Sequence, residues 1–380
     1  MLVNIKKTKC PITNTRVTKK IFLIKKFPIY MGVVDKNHKT EFKDMIFNIN
    51  KNSGIVQIHP KIPLKKLYFK SHGSGKIGNI WLNHHKAFYN FISSFMHGNI
   101  VEIGGGHNSM SRFFKNKEKE NYKFYSFDPN GTQVKKKNFI LIKNFFSFNL
   151  IKKIELTYNV DLVLHSHLFE HIYDHNKFLF DIRKIIKPNG YMAFSIPNMH
   201  KMIKNGYANA VNFEHPAYLD EELVDAILLK NNFSIIKKKY FKKDHSIFYL
   251  TKPSLNINKV KYNNFNNNLK LFRSLNYKWT KDVETINIKI SNYKNIFLFG
   301  AHIFSQMLIA NGLDLKNIRF VLDNDPDKKD YYLYGSRLLV KNPIILKDYE
   351  DPVVILRAGA YNNEIKKDIL SKINSKVIFI

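Results

Sequence analysis

The chain has 380 residues, 44% of them apolar and 14% aromatic, with a formal net charge of +32 and a single cysteine, Cys10. This is the composition of a folded protein with room for two or three cores, and one cysteine excludes an intramolecular disulfide or a cysteine-only metal site. The charge rests on scattered lysines in a chain equally rich in Asn, Ile and Phe, as A/T-rich codons produce, so it suits an anionic small substrate better than a specific nucleic-acid partner.

The opening "MLVNIKKTKC" lacks the apolar core of a signal peptide. No apolar run is long enough to cross a bilayer, so no membrane insertion and a cytoplasmic location are expected. Up to residue 75 the chain reads as a small domain of short strands such as "GIVQIHP", separated by turn signals. Residues 76–252 alternate strands and helices through "NIVEIGG", "KFYSFDP", "FILIKNF", "VDLVLHS" and "GYMAFSIP", which predicts a parallel sheet covered by helices. The Asn- and Lys-rich "SLNINKVKYNNFNNNLK" reads as a linker or exposed connection. Residues 253–380 then form a second α/β domain, with a glycine turn after "NIFLF" and further strands in "IRFVLDND" and "PVVILRAGA". The oligomeric state is not legible in these patterns.

Within the central domain, "NIVEIGGGHNSMSRFF" runs from a buried strand through glycines into a helical spacing. Glycines at such a turn let a ligand approach the backbone, and the following helix N-terminus favours a polar or anionic group. A dinucleotide turn would need a third glycine at Ser109, with its acidic residue about 20 positions later. Here the acid is Glu102, on the strand itself, followed by Gly104 and Gly106. This resembles motif I of the class I S-adenosylmethionine (SAM) methyltransferases, E-x-G-x-G-x-G, with Asn108 in the last position. The resemblance implies a Rossmann-like core in which these residues hold SAM, with S-adenosylhomocysteine (SAH) as product. Asp128, ending the second strand, can accept both ribose hydroxyls. Asn144 and Phe145, after the third, are candidates for the adenine edge and face. His165 and His167 end the fourth strand and are expected to face the cofactor, whereas His171 and His175 read as helix-surface or packing residues.

The whole chain resembles the three-domain sugar C-methyltransferases of deoxysugar and polysaccharide biosynthesis, through "FGA" at 299–301, "LDNDPDK" at 322–328, "YLYGSRL" at 332–338 and "AYNNEI" at 360–365. The resemblance implies a nucleotide-sugar substrate closed over by the C-terminal domain, and makes Gly300 and Asp323 candidate contacts. In that family the N-terminal domain holds zinc on four cysteines. Here those positions are Cys10, Thr13, Asn50 and Ser53, one thiolate among weak neutral oxygens, so no zinc is expected and no metal ligand is assigned. The family's Y-H-E-H segment corresponds to Asn212, Phe213, Glu214 and His215. The resemblance implies that His215 is the general base, with Glu214 as its partner and Asn212 on the substrate side. Removal of a proton α to a keto group suits a histidine. Ser71, Ser74 and His85, in "KSHGSGKIGNIWLNHH", resemble a substrate-side segment, and His245 and Ser246 a shortened H-G-G-S. Changes in the Y-H-E-H segment leave O- or N-methylation of a surface-glycan precursor open as an alternative. RNA methylation and non-catalytic SAM or sugar binding are the remaining readings.

Overall fold

The computed structural model describes residues 9–17, 19–70, 78–105, 110–113, 122–131, 133–136, 138–255 and 260–380. Near the N-terminus, β1 (Lys19–Pro28), β3 (Phe42–Ile49) and β4 (Val56–His59) form an antiparallel sheet in the order β1-β3-β4, while β2 (Val33–Val34) leaves it to pair elsewhere. The short α1 (Leu64–Leu67) and then α2 (Asn79–Ile92) lead into the largest sheet.

That sheet contains β5 (Gly98–Ile103), β6 (Tyr122–Phe127), β7 (Val134–Lys135), β8 (Phe139–Ile142), β9 (Val160–Ser166), β10 (Ile186–Pro197), β11 (Phe233–Phe241) and β12 (Ser246–Pro253). Its order is β11-β12-β10-β9-β5-β6-β8-β7; strands β10, β9, β5, β6 and β8 are parallel, and β12 is antiparallel to both β10 and β11. This is the class I SAM methyltransferase fold. The interior strands are apolar runs because both faces are covered: α3 (Phe148–Lys153), α4 (His175–Arg183) and α6 (Glu221–Lys230) contribute to one core, and α2 with Phe88, Phe91 and Ile92 to the other. The chain moves from β5 toward β8, then returns to lay β9 on the other side of β5. Ligands bind such sheets where the strand order reverses, beyond the carboxyl ends of the strands. Here those ends carry Glu102 and Gly104 on one side and Ser166 and His167 on the other.

After the short α5 (Met199–Lys204) and the β11–β12 hairpin, α7 spans Phe265–Ile290. The stretch expected as a linker is therefore helical from Phe265 onward, while residues 256–259 lie outside the described set. Phe272, Leu275, Trp279, Val283, Ile286 and Ile290 bury one stripe at helical spacing, so the surrounding Asn and Lys form the polar face of an amphipathic helix. Phe47 packs against Phe272 and Trp279, which sets the helix on the N-terminal sheet, and the buried Asn268 donates to Gly54 O at 3.0 Å.

A third, parallel sheet has the order β16-β14-β13-β17-β18, made by β13 (Ile296–Phe299), β14 (Ile318–Leu322), β16 (Val340–Lys341), β17 (Val353–Leu356) and β18 (Ile378–Phe379), with α8 (Ile303–Ala310) and α9 (Asn362–Lys372) as its helices. Strand β15 (Tyr332–Leu333) pairs antiparallel with β2 and so ties this region to the N-terminal one. Among the described residues no helix is long and apolar enough to cross a membrane.

Candidate active site

The glycine turn is built around a buried carboxylate. Glu102, 3% exposed on β5, accepts a hydrogen bond from Met110 N at 2.8 Å and one from Ser126 Oγ at 3.3 Å. Gly104 takes a positive φ of 76° and donates to Phe127 O at 2.8 Å, a conformation most side chains resist. At Gly105 a Cβ would stand 2.3 Å from Glu102 Oε2 and 2.9 Å from Ser126 Oγ. Gly106, like Asn108 and Ser109, lies outside the described residues. Asp128 follows β6, where Asn130 N bonds its Oδ1 at 2.8 Å. A bare backbone turn on one strand and a carboxylate ending the next fit the aminoacyl and ribose parts of SAM.

This turn opens on a cavity of about 390 Å³, in the size range of small-ligand sites. Its walls come from all three regions of the chain: Leu64 and Tyr68; Glu102, Asp128, Phe145, His167 and His215; and His302, Ala360 and Tyr361.

One wall is the segment 209–218. Asn212 Oδ1 accepts from Glu214 N at 2.8 Å and from His215 N at 3.2 Å, closing the loop on itself. Asn212 and Phe213 are 2% and 1% exposed, and Asn212, expected on the substrate side, uses its side-chain oxygen to shape this loop. The ring of His215 is fixed by a bond from Nδ1–H to Asn209 O at 2.8 Å, with Ala210 O also at 3.2 Å. A carbonyl only accepts, so the proton sits on Nδ1 and Nε2 keeps its lone pair. Beyond His215 the chain joins the N-terminal sheet: Ile58 N donates to Pro216 O at 2.8 Å, Tyr218 N donates to Val56 O at 2.9 Å, and Gln57 bridges Ala217. His171, expected on a helix surface, instead lines the cavity, its ring 4.5 Å from that of His215 and its Nδ1 2.6 Å from Tyr68 Oη. It sits in a 3₁₀ turn, Phe169–His171, where the α-helical period does not apply. Fully buried Glu170 beside it has its carboxyl pushed up to about 7 by burial.

The other wall gathers imidazoles. Trp81 packs on His84, His85, His167 and His245 with ring centroids 4.9–5.8 Å apart. Burial above all pushes His85, His167 and His245 down to about 3, which keeps them neutral at ordinary pH. His167 has a positive φ of 49°, uncommon for a residue other than glycine.

The sequence candidates therefore divide. Glu102, Gly104, Asp128, Phe145, His85, His167, Asn212, Glu214 and His215 all line the cavity. His165 does not: it is 1% exposed and stacks on Phe194 at 4.7 Å, on the side of β9 opposite Ser166, whereas His167 lies beyond the strand end, where its positive φ breaks the alternation. Asn144 bonds through its backbone N to Ile142 O and lies outside the lining. Gly300 and Asp323 form a turn of the third sheet, where Asp323 Oδ2 accepts from Ala301 N at 2.8 Å and Lys328 Nζ at 3.0 Å, and that region reaches the cavity through His302 and Tyr361 instead. Ser71 and Ser74 lie outside the described residues. Sequence reasoning missed Tyr68, Trp81, Glu170 and Tyr361, whose only signal was a polar or aromatic residue beside a recognised motif.

At the N-terminus, the positions that resemble zinc ligands form a hydrogen-bonded knot. Cys10 Sγ lies 3.1 Å from Ser53 Oγ and accepts from Thr13 N at 3.4 Å, while Asn50 Oδ1 accepts from Ser53 N at 2.9 Å.

Residues 82–238 match a family model described as a methyltransferase domain. Among solved structures, the chain is similar to a SAM-dependent methyltransferase from Aquifex aeolicus (16% identity, TM-score 0.33, covering 43% of this chain and 88% of that one). It is also similar to one from Mesorhizobium loti (11% identity, TM-score 0.35, 44% and 96%) and to the CurJ carbon methyltransferase (9% identity, TM-score 0.36, 48% and 57%). No curated protein matches the chain. The sheet order, the acid-and-glycine turn and the matched domain define a SAM-dependent methyltransferase.

Proposed function

We propose that the chain methylates the carbon beside the keto group of a nucleotide-activated sugar. The observation that carries this reading is the fixed tautomer of His215: Asn209 O holds the Nδ1 proton, and Nε2 is left as a base in the same cavity as Glu102 and Asp128. Bound SAM supplies an electrophilic methyl group. Glu102, Gly104 and Gly106 would hold its aminoacyl end, Asp128 would accept hydrogen bonds from its ribose hydroxyls and Phe145 would cover its adenine. His215 removes the proton α to the keto group, the electron pair moves toward the carbonyl oxygen, and the α-carbon becomes the nucleophile. Glu214, 4% exposed next to it, contributes the negative charge that favours the imidazolium formed.

The third sheet supports a nucleotide-bearing substrate. Its strand order reverses at β13, and the segment after β17 supplies Ala360 and Tyr361 to the cavity wall, so its own crevice opens toward the sugar position. The same base could serve a hydroxyl, and the loss of the motif's Tyr and first His to Asn212 and Phe213 favours O-methylation as the second reading. Incubation with methyl-labelled SAM and a panel of nucleotide-linked keto-sugars, their reduced alcohols and RNA tests both. Label on carbon, with SAH-supported exchange of the α-proton into deuterated water, is expected. Label on oxygen of the alcohols would establish the second reading, and label on RNA alone would overturn both.

A further inference from the structure

Three imidazoles converge beside the cavity with more lone pairs than donors. His84 on α2 is fully buried, and among the described residues neither of its ring nitrogens has a hydrogen-bond partner. His245, 5% exposed just before β12, has a bare Nε2. His167 follows β9, and a ligand atom from each of the three lies within 4.8 Å of the others. Their ring centroids are 5.2, 5.3 and 5.9 Å apart.

Neighbouring groups decide which nitrogen presents a lone pair. Glu170 Oε1, fully buried, lies 3.2 Å from His167 Nδ1 without hydrogen-bond alignment, and an acceptor oxygen at that distance favours the tautomer with the proton on Nδ1. His167 Nε2 is then an acceptor, 2.8 Å from Ser246 Oγ. The Ser246 hydroxyl that donates to it accepts in turn from His245 Nδ1 at 2.6 Å. This relay leaves the lone pair of His245 on Nε2, and a rotation of the Ser246 hydroxyl frees that of His167. Phe88, Phe241 and Phe248 around His84 offer no donor to it. Unpartnered buried nitrogens call for an explanation, which a bound ion accepting their lone pairs provides, and a carboxyl beside one of them resembles the outer contact that orients metal-bound histidine.

We propose that His84, His167 and His245 bind one divalent transition-metal ion at the edge of the SAM cavity, with Glu170 orienting His167. Three imidazoles suit zinc, cobalt, nickel or iron and leave coordination positions open toward the cavity, where His85, His167 and His245 line the wall. The second group, Glu170 with His171 and His215, is a weaker candidate because Tyr68 already engages His171 and a backbone carbonyl fixes His215. The inference concerns metal binding alone and stands apart from the identity of the substrate.

Full-length protein stripped with a chelator and titrated with Co²⁺ tests it without substrate or turnover. Visible ligand-field bands saturating near about one equivalent, and lost on adding Zn²⁺, are expected. His84→Phe and His245→Gln should abolish the bands, and Glu170→Gln should weaken Co²⁺ binding about 10–100-fold. Cys10→Ser should bind like wild type. X-ray absorption at the cobalt edge counts imidazole ligands in the wild-type protein, so the answer does not depend on any variant folding. A stripped protein that takes up no Co²⁺, a cobalt shell with sulfur or fewer than two imidazoles, or undiminished binding by the folded His84→Phe and His245→Gln proteins would overturn the proposal.

Discussion

Gly105→Ala tests the cofactor turn at its tightest point. The added Cβ would sit 2.3 Å from Glu102 Oε2 and 2.6 Å from its Cδ, about 1 Å inside normal contact. The obstacle is a buried carboxylate held by Met110 N at 2.8 Å and Ser126 Oγ at 3.3 Å, with no room to rotate freely. Making space displaces Oε2 from Ser126 Oγ and turns the carboxylate away from Met110 N, which it also holds through Oε1. A hydrogen bond to a charged group contributes about 1.5–3 kcal/mol, so SAM affinity should fall roughly 10–100-fold. Calorimetric titration with SAM and SAH measures this, and circular dichroism checks that the sheet persists. Glu102→Ala removes the obstacle, so adding Gly105→Ala to it should cost little more, a non-additivity that isolates this one contact. If Gly105→Ala alone bound SAM within twofold of wild type, the turn would have slack that the geometry denies it.

Asp128→Ala should lower SAM affinity about tenfold or more by removing a charged acceptor, measured in the same titration. His215→Ala should cost about 10²–10⁴-fold in turnover of the acceptor while SAM affinity stays near wild type, and a fully active variant would end the general-base assignment. Cys10→Ser should leave the zinc content of the purified protein unchanged, since Cys10 stands among the neutral oxygens and amides of Ser53 and Thr13; loss of bound zinc in elemental analysis would contradict this. His175, 3% exposed, is pushed down to about 4 by burial, with Phe169 O and Asp174 opposing that shift and Lys61 adding to it. Because the unfolded chain binds the proton first, stability is present above about pH 6.5 and is lost as pH falls toward 4. His175→Gln should remove on the order of 3 kcal/mol of that decline, read from urea midpoints across this window.

Legibility followed sequence distance. The parallel sheet could be read because each strand is a short apolar run bounded by turns, and the placement of Glu102, Gly104 and Asp128 at strand ends on one cavity because a strand end and its turn are contiguous in the chain. The imidazole wall could not be read, since α2, the end of β9 and the start of β12 meet only once the sheet is assembled. His171 was misread by applying a helical period to a 3₁₀ turn, and His165 because the side of the sheet it faces depends on register. In α7, a dense polar face of Asn and Lys masked a buried stripe of one residue in three or four. The loop role of Asn212 was hidden by reading it as a substitute for a family tyrosine, when its short side chain folds back on its own backbone.

The pairing of residues 216–218 with β4 bears on how this protein could be cut or recombined. A fragment starting at α2 would keep every strand of the largest sheet and the whole glycine turn. It would still lose Val56 and Ile58, the partners of Tyr218 N and Pro216 O. The tether next to His215 would then hang from an unpaired edge, free to slip in register or to recruit a strand from another molecule. Such a fragment is expected to bind SAM, to aggregate and to transfer no methyl group. A chimera that exchanges the large sheet between relatives has to carry β4 along with segment 209–218, because the unit that is inherited whole crosses the apparent boundary near residue 75.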